Sequence, residues 1–232
     1  MRKITTILSV LFFISYSANA LEVSDMSVTA GISANSAVYG ATGTETNRDE
    51  SNAVRSINKE SGVFTDSHTS GFLEFNVGQY VSLGIEHTPD AITTPQNDRV
   101  TADGGGGTTT VSADFNDLNI AYLKLNVPGG VYLKAGYVET DIDVKETMAS
   151  GSTYNNASTE GTIFGIGYER SVGEVGLGLR VEGSYMSLDN VTSSNGVAAD
   201  GATIANGGRN QIDITNMEGV NAKIAITYTF GK

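Results

Sequence analysis

The chain has 232 residues, with 14 basic against 26 acidic side chains and a formal charge of −12, no cysteine, no tryptophan, 28 glycines and only 3 prolines. So acidic a chain lacks the basic face that nucleic acid selects. The absence of cysteine rules out disulfides, thiolate metal sites and a cysteine nucleophile together.

At the N-terminus, Arg2 and Lys3 precede the short apolar run Ile7 to Ile14, and Ala18-Asn19-Ala20 follows. This is the pattern of a secretory leader with an A-x-A cleavage site, expected over residues 1–20. Its apolar run is shorter than the ~20 residues of a spanning helix. Residues 21–232 are then expected to form one domain.

From there the signal is alternation with period two. Met26, Val28, Ala30, Ile32, Ala34 and Val38 share one face of the first strand. Leu73, Phe75 and Val77 lead into a turn at Gly78-Gln79-Tyr80, and Val81, Leu83 and Ile85 lead out of it. Ala121, Leu123, Leu125 and Val127 do the same before Pro128 to Gly130, with Val131, Leu133, Ala135 and Tyr137 after. A third hairpin sets Phe164, Ile166 and Tyr168 against Leu177, Leu179, Val181 and Tyr185, around a turn at Ser171 to Val175. The last strand carries Val220, Ala222, Ile224, Ile226, Tyr228 and Phe230 on one face.

These make eight strands, joined alternately by short turns and by long polar stretches at about 41–68, 88–115, 141–159 and 189–217. A soluble sandwich or lipocalin-like barrel also alternates, but it does not need all its long connections at one end. The asymmetry, the leader and two levels of apolar-face aromatics point to an eight-stranded antiparallel up-and-down transmembrane β-barrel, all-β, with short periplasmic turns and long external loops. Tyr168, Tyr228 and Phe230 fall near the periplasmic level, and Tyr137 and Tyr185 near the outer one.

The C-terminal KIAITYTFGK resembles the last strand of bacterial outer-membrane β-barrel proteins, which ends on alternating apolar residues and a final aromatic. Gly231 and Lys232 follow the aromatic here, a departure from the usual pattern. On that motif the whole chain is similar to the small OmpA/OmpX-type barrels of the outer membrane protein beta-barrel domain family. The resemblance implies a bacterial outer-membrane location, contact with lipid and lipopolysaccharide, and insertion by the barrel assembly machinery, for which Ile226, Tyr228 and Phe230 would be the signal.

If the apolar face meets lipid, then Glu74, Glu86, Lys124, Lys134, Glu169, Arg180, Glu182 and Lys223 all point into the lumen. The Pro128–Gly130 turn sets Lys124 directly opposite Lys134, a destabilising arrangement on a sheet unless carboxylates bracket it. The interior of an eight-stranded barrel is just wide enough for side chains to fill, so a closed ion-pair network is expected. The rival expectation is a narrow water-filled pore lined by the same charges. No catalytic centre is expected: the two histidines, His68 and His87, each sit at the outer end of a strand, and His87 has the lipid-facing parity, near Asp90 but with Ser82 on the opposite face. The glycine run at 104–107 lacks the Lys-Ser/Thr of a phosphate loop, and the aspartates at 98, 103, 141 and 143 do not follow a calcium-loop pattern. No cofactor or metal is expected. The expected function is a non-enzymatic surface protein acting in envelope structure, adhesion or surface contact through its external loops; the alternative is a porin-like channel for small solutes or ions. Loop chemistry does not name a ligand, and a monomer is the default state.

Overall fold

The computed structural model describes residues 26–49, 51–101, 107–147, 154–195 and 210–231. The expected leader, Asp103 and most of the glycine run lie outside them. The strands are β1 (Met26–Arg48), β2 (Val54–Val77), β3 (Val81–Thr88), β4 (Ile92–Thr93), β5 (Asn97–Thr101), β6 (Gly107–Asn126), β7 (Val131–Thr147), β8 (Ala157–Val172), β9 (Leu177–Leu188), β10 (Val191–Ser194) and β11 (Gln211–Phe230). Eight of them close a ring in the order β1-β2-β3-β6-β7-β8-β9-β11, and β11 pairs back onto β1 from Val28–Phe230 upward. Every pairing is antiparallel. The short strands β4 and β5 lie along β6, and β10 lies along β11.

The turns at one end are tight because glycines allow it. Gly129 and Gly130 hold φ of 98° and 92°, the left-handed region open to residues without a Cβ. A side chain on Gly130 would also meet the Glu169 carbonyl oxygen at 2.5 Å. The third turn spans Gly173 to Gly176, slightly later than the 171–175 expected, because β8 runs on to Val172.

At the other end the expectation of long loops needs correction. β1 and β2 continue as a paired ribbon to Arg48–Val54, and β6 and β7 continue to Thr110–Thr147. Much of 41–68, 88–115, 141–159 and 189–217 is strand. These segments are rich in Ser, Thr, Asn and Asp, so they have no apolar stripe for period-two counting to register, yet β-branched Thr suits a strand well. Two non-glycine residues with positive φ, Asp117 (50°) and Asn216 (53°), mark β-bulges where the register slips. They fall where β6 and β11 pass from the apolar belt into the polar extension, and bulges re-aim strands at such rims.

The molecule is inside out compared with a water-soluble barrel. Val28, Ile32, Leu73, Phe75, Ile85, Leu123, Leu125, Leu133, Phe164, Ile166, Leu179, Val181, Ile224 and Ile226 are all exposed on the outer surface. Seven of the eight charged residues with opposite parity are buried within the ring, and Glu169 is half-buried at its edge.

Candidate functional site: the lumen

The register follows directly from the turn: Lys124 pairs with Lys134 across β6 and β7. The two ammonium groups separate because their side chains enter different ion clusters. Lys124 Nζ lies 2.7 Å from Glu74 Oε2 and 3.0 Å from Glu169 Oε2. Arg180 grips Glu74 with two bonds, Nη1 and Nη2 each 2.7 Å from a carboxylate oxygen, and reaches Glu169 at 2.8 Å. Such bidentate pairing fixes both partners. These four residues form a lower quartet of two cations and two anions.

The upper quartet has the same composition. Lys134 donates to Glu182 and lies 3.5 Å from Glu86. Lys223 bonds both oxygens of Glu86 at 2.6 Å and lies 3.5 Å from Glu182. All eight charged residues named from the sequence therefore meet in the lumen, in two neutral clusters. The sequence does not show the division into quartets: the neighbouring strands suggest Glu86 for Lys124 and Glu169 for Lys134, whereas Lys124 takes Glu74 and Glu169 and Lys134 takes Glu86 and Glu182, each two strands away in the ring.

Three lumen aromatics frame the quartets. Tyr122 donates to Glu74 at 2.9 Å and Tyr132 to Glu182 at 2.7 Å. Lys134 Nζ stands 5.0 Å over the Tyr122 ring, Lys124 Nζ 5.3 Å over Tyr132, and the Arg180 guanidinium 4.7 Å over Phe72. These are cation–π distances. Each ring lies on a glycine directly opposite in the adjacent strand: Phe72 on Gly31, Tyr122 on Gly84 and Tyr132 on Gly167. A Cβ on any of these glycines would come within 2.3 Å of the ring.

Hydroxyl and amide groups continue the packing on both sides. Below, Asn76 donates to Thr29 at 2.8 Å and Ser27 at 3.1 Å, while the Thr29 and Thr229 hydroxyls meet at 2.9 Å. Above, Ser70 donates to Glu86 at 2.7 Å and meets Ser33 at 2.6 Å, and Asn221 donates to Asn35 at 3.0 Å. Higher still, Ile92, Leu118, Ile120, Tyr122, Val138, Ile163 and Met186 form an apolar cluster. Sequence analysis missed it because apolar residues were counted only on the lipid-facing parity. A cavity of about 20 Å³ beside it is lined by Asn35, His68, Glu86, Thr88 and Ser184, among others. That is room for one water molecule.

The histidines also differ from each other. His68 is buried and its Nδ1 lies 3.0 Å from Asp66 Oδ2, whereas His87 is exposed and lies 2.9 Å from Asn119 Oδ1. Asp66 and His68 form an acid–base pair that the sequence reading did not single out. At the chain's end, Ile226, Tyr228 and Phe230 face outward, and the Tyr228 and Phe230 rings meet edge to face at 4.6 Å.

A closed antiparallel ring, an exposed apolar belt and a charged, packed lumen define a membrane-spanning β-barrel of the outer-membrane type. Solved structures of bacterial outer membrane proteins share this fold. OprG, an outer membrane protein of Pseudomonas aeruginosa, superposes with a TM-score of 0.55 at 11% identity, covering 86% of this chain and 96% of that one. AlkL, an outer membrane protein determined in lipid bilayers, gives 0.48 at 11% identity over 93% and 95% of the two chains. The Escherichia coli outer membrane protease OmpT gives 0.47 at 12% identity over 92% and 100%. At these identities the likeness is one of fold, and the OprG comparison carries it. No protein-family model matches the sequence, and no curated protein matches it significantly.

Proposed function

We propose that the protein is a non-enzymatic surface component of the bacterial outer membrane, in which the barrel is a sealed mount and the polar extensions above the rim do the work. One observation carries this reading: two neutral quartets, braced by Phe72, Tyr122 and Tyr132, meet within the lumen and leave each buried charge paired. Buried charges that satisfy one another leave no free group to lead an ion through. The confined cavity beside His68 supports the non-enzymatic part, since general acid–base chemistry needs a substrate within hydrogen-bond reach of the base.

The test is single-channel conductance of the refolded protein in a planar bilayer. Silence from folded protein is expected. Steady discrete openings would replace this reading with that of a narrow channel, in which Lys124, Lys134 and the four lumen glutamates would become the selectivity residues.

Insertion by the barrel assembly machinery is part of the same proposal, with Ile226, Tyr228 and Phe230 as the recognised face. Phe230→Ser is expected to lower the amount of folded barrel in outer membranes of expressing cells several-fold, while refolding into detergent micelles proceeds as before. Equal yields in cells would remove that role from Phe230.

A further inference from the structure

We propose that a trough on the lipid-facing wall, across β2, β1, β11 and β9, seats one acyl chain of an outer-leaflet membrane lipid, and that Ser36 and Ser67 bond the ester, amide or hydroxyl group at the head end of that chain. The proposal goes beyond the sealed-mount reading and stands whether or not the lumen conducts.

The outer wall is not evenly covered. One rung across four strands runs Ser67–Ser36–Ala222–Gly183, with small side chains throughout. The outward rung above it, Val38–Val220–Tyr185, is large and exposed, and so are Ile224 and Val181 on the outward rung below. Between these ridges lies a groove of about 730 Å³, closed at its far end by Ile166 and Tyr168 of β8. That is well within the ~300–1,000 Å³ of sites that hold a small organic molecule. Gly183 opens into it, since a Cβ at that position would meet nothing within 4 Å. Asn35, Glu182 and Lys223 also line the groove although they are buried in the lumen, so its floor is bare sheet backbone. A wall with no atoms against it forfeits its dispersion contacts, and a thin, flexible hydrocarbon chain is what the surrounding membrane offers to restore them.

The register sets how deep the trough lies. Following paired residues from strand to strand, from Val28 through Leu123 and Tyr185, returns to β1 at Val38, ten residues nearer the outer end. Spread over eight strands, each step from β1 toward β11 and β9 descends by a little over one residue. Tyr185, two strands from Val38 on one rung, therefore stands level with Ser36. Tyr185 belongs to the outer aromatic level, so Ser36 and its neighbour Ser67 lie where head groups meet hydrocarbon, and the trough descends from them into the apolar belt. Both serines are exposed, and neither hydroxyl has a hydrogen-bond partner among the described residues. A hydroxyl facing hydrocarbon without a partner is costly. The polar linkage of a lipid chain at this depth accepts from it, and because the polar end is the outer one, the lipid comes from the outer leaflet.

A second copy of the chain does not fit the trough. Three strand spacings of about 4.8 Å and four residues of about 3.3 Å between ridges enclose on the order of 200 Å². A stable protein pair needs about 800 Å² from each partner.

The natural chain has no tryptophan, so a single introduced indole reports only its own surroundings. Ile224→Trp places one on the lower ridge. Leu123→Trp is the control, four strands away on the opposite wall and within about one residue of the same height. Each full-length variant is refolded into vesicles of ether-linked phosphatidylcholine that contain a graded share of dibrominated ester-linked phosphatidylcholine, with folding confirmed by circular dichroism. Bromine quenches the indole on contact, and only the brominated lipid carries ester carbonyls. In Ile224→Trp the ester lipid should be favoured about fivefold over its bulk share, the worth of one net hydrogen bond. In Leu123→Trp it should match its bulk share. The preference should vanish when Ser36→Ala and Ser67→Ala are added to Ile224→Trp. It should also vanish with Gly183→Leu and Ala222→Leu, which fill the trough from the lipid side and leave the quartets intact. Bulk-level quenching in Ile224→Trp would overturn the proposal, as would an equal preference in Leu123→Trp or one that survives either pair of changes. So would quenching that falls as more protein is added at fixed lipid composition, the sign of a second copy in the trough.

Discussion

Lys134→Met is expected to destabilise the barrel by about 3–5 kcal/mol, the usual range when one partner of a buried ion pair is removed. Lys134 is 3% exposed, and its loss leaves Glu86 and Glu182 sharing the single ammonium of Lys223. Methionine nearly matches the stem in length, so the change isolates the charge. Lys145→Met is the control: its side chain is 56% exposed and lies 3.6 Å from Asp114, so it should shift stability by no more than about 1 kcal/mol. Urea titration of both variants in micelles, followed by tyrosine fluorescence, makes the comparison. Matching midpoints would mean that the upper quartet does not hold the barrel. Adding Glu182→Gln to Lys134→Met should recover part of the loss, because one cation and one anion then remain with a neutral amide.

Gly167→Ala is the second large effect, expected at about 3 kcal/mol from overpacking together with a lost charge-assisted hydrogen bond. The new methyl would lie 2.2 Å from Tyr132 Cζ. Tyr132 is fully buried and donates to Glu182, so the ring can move aside only by giving up that bond. The loss should be strongly non-additive with Tyr132→Ala, since the smaller residue removes both the clash and the bond. A double-mutant cycle in the same urea assay reports this coupling. Additive losses would mean that Gly167 acts through backbone conformation instead of as a seat for the ring.

The eight strands and the lipid-facing row were legible because a period-two apolar stripe over about ten residues is a local signal, and Leu123 to Tyr137 carries it on both sides of its turn. The turn at Pro128–Gly130 was enough to set Lys124 against Lys134. Which carboxylate each lysine would take was not legible. Glu74 and Arg180 are brought together by the tilt and stagger of the ring, which no single hairpin encodes. The same holds for the seating of Tyr122 on Gly84, which requires knowing the register between β3 and β6. The extensions of β1, β2, β6 and β7 escaped because Thr-Ser-Asn alternation looks like loop to any count of apolar residues. The apolar cluster around Ile120 and Val138 escaped because an inward apolar residue has the parity assigned to charge.

The strand origins of the quartets bear on how the chain folds. The lower quartet draws its members from β2, β6, β8 and β9, and the upper from β3, β7, β9 and β11. No hairpin contains a complete set, and no run of adjacent strands short of most of the ring does either. A partly assembled barrel in lipid would match Glu169 with Arg180 and Glu182 with Lys223 on adjacent strands, but would leave the other lumen charges short of partners, at the several kcal/mol each that unmatched charge costs in an apolar medium. Intermediates are thereby penalised while the finished ring is not. Closure of β1 onto β11 should therefore be the step that joins the most distant partners, Arg180 with Glu74 and Lys223 with Glu86, and so completes both quartets together.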